Sequence, residues 1–217
     1  GEALRRAEPG SGLQLSWARA YAAAARDDAD LATLRGWLDA DGVPEGLGID
    51  TGLRWHLVQS LVAVGGLPAS AIDAELERDS TASGRVEAMH ARALIPTAEA
   101  KAEAWRRLTE DTELPNSQRR ALAQGFQHST QVALTAPYAE KYFAAVGEIW
   151  ANWDGDVAQG FAVLLYPAYQ VSPETIAMTD AWLADQSHPA PLRRLVGEGR
   201  DGVVRALAAR ARDSAAG

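Results

Sequence analysis

The sequence predicts an all-α protein, a superhelical stack of antiparallel helix pairs of the HEAT or armadillo type (an α-solenoid), and three observations predict it. Apolar residues recur every three or four positions from Ser11 onward, in segments of about 12 to 16 residues, close to the helix period of ~3.6. Alanine dominates the apolar set, β-branched residues are few and nearly every basic residue is Arg, a mixture that favours helix in almost every window. The connections between segments are only a few residues long, which makes neighbouring helices antiparallel and lets successive pairs stack. Helix starts recur at broadly regular intervals without a strict repeat of fixed length, so an irregular helical bundle is the alternative arrangement. The 217 residues, 47% hydrophobic, suffice for one continuous core, and 1–217 is read as a single helical-repeat domain.

The clearest element is a helix over 51–64. Leu53, Leu57, Leu61 and Val64 form one stripe, which Trp55, Val58 and Val62 widen. Asp50 or Thr51 can cap its start, and Gly65-Gly66 followed by Pro68 ends it. Before it, 41–51 carries Gly42, Pro44, Gly46 and Gly48 and reads as a loop between subdomains. It is an ordered one, because Val43, Leu47 and Ile49 give it something to pack. Further helices are predicted over 69–78, over 82–94 after a Thr81 cap, and over 98–109 after Ile95-Pro96-Thr97. Later ones start near Pro115, Pro137, Asp154 and Pro173, and a last one covers 203–212. Ser172-Pro173-Glu174 places a cap, a first-turn proline and an acid suited to the helix dipole in order.

A formal net charge of -8 and a pI near 5.0 argue against a phosphate-backbone binder, which needs a cationic surface, so nucleic acid is not expected as a partner. The absence of cysteine removes disulfides, thiol nucleophiles and thiolate zinc sites, and fits a cytoplasmic setting. No apolar run approaches the ~20 residues that span a bilayer, and residues 1–6 lack the pattern of a secretion signal, so no membrane is expected. The chain begins without Met and is read as a fragment of a longer polypeptide, Gly1 being a possible remnant of tag removal.

No catalytic apparatus is visible. His56, His90, His128 and His188 are isolated from one another and none is followed by Glu; a zinc peptidase would show His-Glu-x-x-His on one helix. Structural or solvent-facing roles are expected for all four, and no metal site is expected. Gly197, Gly199 and Gly202 spell Gly-x-Gly-x-x-Gly, but no buried strand feeds them, so the match is read as accidental and the glycines as a connection into the last helix. Asp154-Gly155-Asp156 lacks the further ligands of a calcium loop, and Asp27-Asp28 and Glu110-Asp111 read as solvated helix ends.

The aromatics carry more. Trp17, Trp37, Trp55, Trp105 and Trp182 fall on apolar faces and are expected in the core, Trp105 sharing its face with Ala98, Ala102 and Leu108. The run Tyr138, Tyr142, Phe143, Trp150, Trp153, Phe161, Tyr166 and Tyr169 is denser than a core alone needs, with core packing as the ordinary alternative. Phenols at the mouth of a helical concavity suit recognition of an extended peptide. On chemistry alone the candidate peptide contacts are Arg54, Tyr166 and Tyr169, with Gln124, Gln127 and His128 as a polar cluster around Phe126. Arg54 is the candidate for a bidentate grip on a peptide carboxylate, with a surface ion pair as its ordinary use.

The segment Ile72-Asp73-Ala74-Glu75-Leu76-Glu77-Arg78-Asp79, then Pro96-Thr97-Ala98-Glu99-Ala100-Lys101-Ala102-Glu103-Ala104-Trp105, resembles the C-terminal region of actinobacterial aminopeptidase N. Leu114-Pro115-Asn116, Gly125-Phe126-Gln127, Ala136-Pro137-Tyr138, Leu165-Tyr166-Pro167, Asp180-Ala181-Trp182-Leu183, Leu192-Arg193-Arg194-Leu195 and the stretch from Gly199 to Leu207 continue the likeness in order. It covers about 13–211. The resemblance implies a parent zinc aminopeptidase of the gluzincin type, whose N-terminal and thermolysin-like domains carry His-Glu-x-x-His and Gly-x-Met-Glu-Asn. Both motifs are missing here, so the catalytic domain and its zinc lie outside this sequence. What remains is similar to the endoplasmic-reticulum aminopeptidase-like C-terminal domain, a helical superhelix that closes over the active site. The implied role is non-catalytic: to wall off a chamber and contact peptide substrates, with the catalytic and N-terminal domains of the same polypeptide as partners. A stand-alone helical-repeat scaffold that binds a partner protein is the rival reading.

Overall fold

The computed structural model describes residues 1–216 and is all-α, as the sequence predicts, with no strand among the described residues. Its contacts divide the chain into two units, Gly1–Pro96 and Thr97–Gly217. The boundary therefore falls at Pro96, not at the glycine-rich 41–51 loop, which is internal to the first unit.

The first unit holds α1 (Glu2–Arg6), α2 (Gly12–Ala24), α3 (Asp28–Leu38), α4 (Thr51–Ala63), α5 (Ser70–Arg78) and α6 (Ala82–Ala93). α4 is its axis and packs against α2, α3, α5 and α6. The cause lies in its sequence: the helix is apolar nearly all round, which requires burial on all sides. Leu53, Leu57 and Leu61 enter one core with Ala18, Ala22, Leu34 and Trp37. Trp55, Val58 and Val62 enter a second with Ile72, Ala88 and Ala91. What reads in sequence as one widened stripe is two stripes serving two cores. Asp50 caps the helix by accepting from the Leu53 N–H at 2.7 Å, and Gly65, at φ +75°, turns the chain out in the left-handed conformation.

The 39–50 connection is held by its surroundings. Trp37 Nε1 donates to the Gly42 carbonyl at 3.1 Å, Gln14 Nε2 donates to that of Glu45 at 2.8 Å, and Leu47 is buried. Gly46, at φ +79°, lies so close to the Pro9–Gly10 backbone that a Cβ would stand 2.5 Å from the Gly10 nitrogen. The expectation of an ordered loop holds there for a steric reason.

The second unit holds α7 (Ala98–Glu110), α8 (Asn116–Phe126), α9 (Val132–Thr135), α10 (Tyr138–Asn152), α11 (Gly155–Leu164), α12 (Pro173–Ala184) and α13 (Ala190–Ala216). α8 lies against α7 and α11, α11 against α10 and α13, and α12 against α10 and α13. Ser172 caps α12 as expected, its hydroxyl accepting from the Thr175 N–H, and Thr97 caps α7 in the same way through the Ala100 N–H.

Three expectations are corrected. The last helix is α13, 27 residues long, so Gly197, Gly199 and Gly202 lie inside a helix rather than in a connection to one. Trp17 is 42% exposed, so it stands outside the core that Trp37 and Trp55 enter. The buried face of α7 is Lys101, Ala104 and Leu108, displaced from the expected face, on which Ala98 and Ala102 are exposed. Trp105 is half-buried and meets the rings of Phe126, Tyr138 and Phe161 at centroid distances of 5.8, 5.2 and 5.8 Å.

Gly199 shows why α13 accepts glycine despite its low helix propensity. A Cβ there would lie 2.6 Å from the Tyr166 ring, and that ring is fixed by Tyr142 and Phe143 at 5.7 and 6.2 Å. Gly199→Ala is expected to lower stability by about 1–3 kcal/mol, the range for overpacking, although Ala is the better helix former. A thermal midpoint that rises in this variant would mean that the ring yields freely.

Candidate functional site

Five of the six residues expected to contact peptide lie in the second unit, where Gln127 is joined to the turn that carries Tyr166 and Tyr169. α8 ends at Phe126, and Gln127, just beyond, donates its amide to the carbonyls of Leu164 and Tyr166 at 3.1 and 2.6 Å. These are carbonyls at the end of α11 that the helix itself cannot satisfy. Gln127 is thus a strut between two helix ends. His128 Nδ1 pairs with the Thr130 hydroxyl at 2.8 Å. Gln124 is exposed on α8.

Tyr166 is corrected from a surface contact to a core residue. It is 2% exposed, its hydroxyl is 2.9 Å from that of Thr179, and burial raises its pKa. Tyr142 beside it donates to the Ala162 carbonyl at 2.7 Å and is raised further by the same desolvation. Tyr169, three residues past Tyr166 in the turn before α12, is 44% exposed. Of the aromatic pair, it alone is open to solvent.

Arg54 belongs to the first unit and is also reassigned. Its guanidinium grips the Glu75 carboxylate through Nε and a terminal nitrogen, both at 2.8 Å, and donates to the Leu38 carbonyl at 2.8 Å. The bidentate geometry expected toward a peptide carboxylate is present, with α5 supplying the acid. The Glu75 hydrogen bonds raise the Arg54 pKa, and each nitrogen of the fork makes a bond that joins α4 to α3 or α5.

Two buried cations of the second unit escape sequence reasoning. Lys101 is fully buried, donates to the Phe126 carbonyl at 2.8 Å and lies 5.7 Å from the Phe126 ring centre. It places positive charge at the carbonyl end of α8, where the helix dipole favours it, yet burial lowers its pKa to about 8. Arg119 is 7% exposed. Its terminal nitrogens donate to the carbonyls of Arg107 and Leu108 in the last turn of α7 and of Asp111 and Leu114 in the connection to α8, and its guanidinium lies 4.3 Å from the Trp153 ring centre. An interruption of the Ala104–Leu108 face by Lys101 is the one sequence signal available. For Arg119 there is none, because backbone carbonyls are common to every residue.

A cavity lies where α7, α8 and α11 meet, with Leu108, Phe161 and Leu164 among its walls and Arg119 in its lining. Among the described residues no three His, Asp or Glu side chains stand together so as to hold a metal ion.

Comparison with known proteins agrees with this picture of a helical body. Aminopeptidase N of Streptomyces lividans is 51% identical over 213 residues, which is 98% of this chain and 25% of that protein, so the chain spans about a quarter of the length of the curated relative it matches. Residues 3–205 match the ERAP1-like C-terminal domain, and the chain belongs to that family.

Proposed function

We propose that this chain is the non-catalytic C-terminal domain of an aminopeptidase N, a helical wall that encloses the active-site chamber and contacts the distal part of a bound peptide. The observation that carries the reading is the span of the likeness: it runs through 98% of the chain yet takes in 25% of the relative. That leaves room for catalytic and N-terminal domains, with their zinc, in the same polypeptide. The helical body, with its two units as parts of one repeat domain, suits enclosure. No described helix is long and apolar enough to cross a membrane, and a cytoplasmic setting fits a chain without cysteine. The purified chain is expected to turn over no amino-acid anilide with or without added zinc; turnover that survives further purification would sink the assignment.

Peptide contact is tested in the full-length enzyme at Tyr169, the exposed ring of the 165–170 turn. A ring packed on a bound peptide with one hydrogen bond contributes on the order of 1 kcal/mol, several-fold in kcat/KM. Tyr169→Ala is expected to show that loss on a peptide of about ten residues, which extends ~33 Å, and none on a dipeptide-sized substrate. Tyr166→Phe, which removes the Thr179 contact in the core, is expected to affect both substrates alike through stability. Equal losses for Tyr169→Ala on both substrates would remove peptide contact from this turn. An active parent indifferent to deletion of the domain would favour the stand-alone scaffold.

A further inference from the structure

The cavity between α7, α8 and α11 has a volume of about 130 Å³, close to the ~150 Å³ void that takes up a benzene molecule. Its walls include Leu108, Phe161 and Leu164, and its polar lining is Asn116, Arg119, Arg120 and Asp156. Arg119 is 7% exposed and its Nε has no hydrogen-bond partner, while its terminal nitrogens are taken by backbone carbonyls. The Arg119 head group, stacked on Trp153, therefore stands behind the cavity lining and leaves its recognition chemistry to Arg120 and Asp156. Arg120 and Asp156 are exposed, and neither enters an ion pair among the described residues. The first turn of α8, which begins at Asn116, has no side-chain cap, so its N–H groups also favour an anion.

We propose that this cavity binds a free apolar α-amino acid of about the size of leucine. The carboxylate meets the charge of Arg120 and the uncapped N–H groups at the start of α8. The ammonium meets Asp156, and the side chain fills the space among Leu108, Phe161 and Leu164. A plain hydrocarbon leaves Arg120 and Asp156 without partners, and a dicarboxylate sets a second negative charge against Asp156 or the apolar wall, so a zwitterion with an apolar body fits the lining best. An aminopeptidase releases such molecules, so a parent of that kind would meet its own product here; the binding itself does not rest on that assignment.

The test is titration calorimetry of the 217-residue chain with L-leucine. Saturable one-to-one binding is expected, at least tenfold weaker for glycine, leucinamide and N-acetyl-leucine, each of which lacks one of the three recognised parts. Arg120→Gln and Asp156→Asn, at exposed positions, are expected to weaken leucine at least tenfold with unchanged thermal midpoints. Gly160 lines the cavity, and a Cβ added there meets nothing within 4 Å, so Gly160→Leu is expected to fill the space and abolish binding in a folded chain. No saturable heat with leucine in the unsubstituted chain overturns the proposal. So does N-acetyl-leucine binding as tightly as leucine, or leucine binding unchanged in all three variants.

Discussion

Trp55→Ala is expected to lower the unfolding free energy by about 3–5 kcal/mol, the range for deleting a buried tryptophan. The indole is 2% exposed, packs in the core shared with Ile72, Ala88 and Ala91, and donates from Nε1 to Asp79 at 2.8 Å. Asp79 also accepts from the Thr81 hydroxyl, and these bonds, that of Thr81 first, hold its carboxyl below the usual range. The substitution therefore opens a cavity and removes one partner of the carboxylate that organises the turn into α6. Against a total of ~5–15 kcal/mol for a folded domain, the loss is large enough to shift a urea midpoint strongly. Trp55→Phe keeps most of the volume and loses the hydrogen bond, so a smaller loss of about 1–2 kcal/mol is expected. Equal midpoints for Trp55→Ala and the unsubstituted chain would show that the second core carries little of the stability.

The second large effect is a dependence on pH carried by Lys101. Its folded pKa is lowered to about 8 from 10.5. Between those values the unfolded chain holds a proton that the folded chain has released, so unfolding takes up a proton and stability rises with pH. Below pH 8 both states are protonated and the cost of burying the charge is felt in full. The gain across the window is on the order of 3 kcal/mol. Nothing among the thiols masks it, since the chain has no cysteine. The buried phenols of Tyr142 and Tyr166, raised by burial, act in the opposite direction only as pH passes ~10, where unfolded tyrosine ionises. The urea midpoint is thus expected to climb from pH 7.5 to about 10 and to fall above it. In Lys101→Met the climb should vanish and the fall remain. A midpoint that is flat from pH 8 to 9.5 in the unsubstituted chain would mean that Lys101 keeps its charge in the fold.

Helix starts were readable because their chemistry is local: Asp50, Thr81, Thr97 and Ser172 each accept from an N–H three residues on. Helices of five and four residues, α1 and α9, are too short to display a period. The glycines that seemed to interrupt 197–202 deceived for a different reason. Low helix propensity is a weak local cost, and the approach of the Tyr166 ring to Gly199 reverses its meaning. The Trp105 face was misplaced because alanine suits both a buried and an exposed helical position, and the buried Lys101 reads as a surface residue. The candidate site was less legible than the fold. Arg54 signalled a bidentate partner, but Glu75 lies 21 residues away and nothing in the spacing names it. Tyr166 and Tyr169 are the same residue type in the same turn, and only packing separates a core phenol from an exposed one.

The notch at Gly199 also makes the Tyr166 ring a key in a lock. Sliding α13 by one residue moves it ~1.5 Å along its axis and turns it ~100°, which brings Glu198 or Arg200 to the ring in place of the bare backbone. Neither side chain fits against a ring that already lies 2.6 Å from the position of a Cβ. The long helix is therefore indexed at one point, and the Thr179 hydroxyl that holds the ring ties that point to α12.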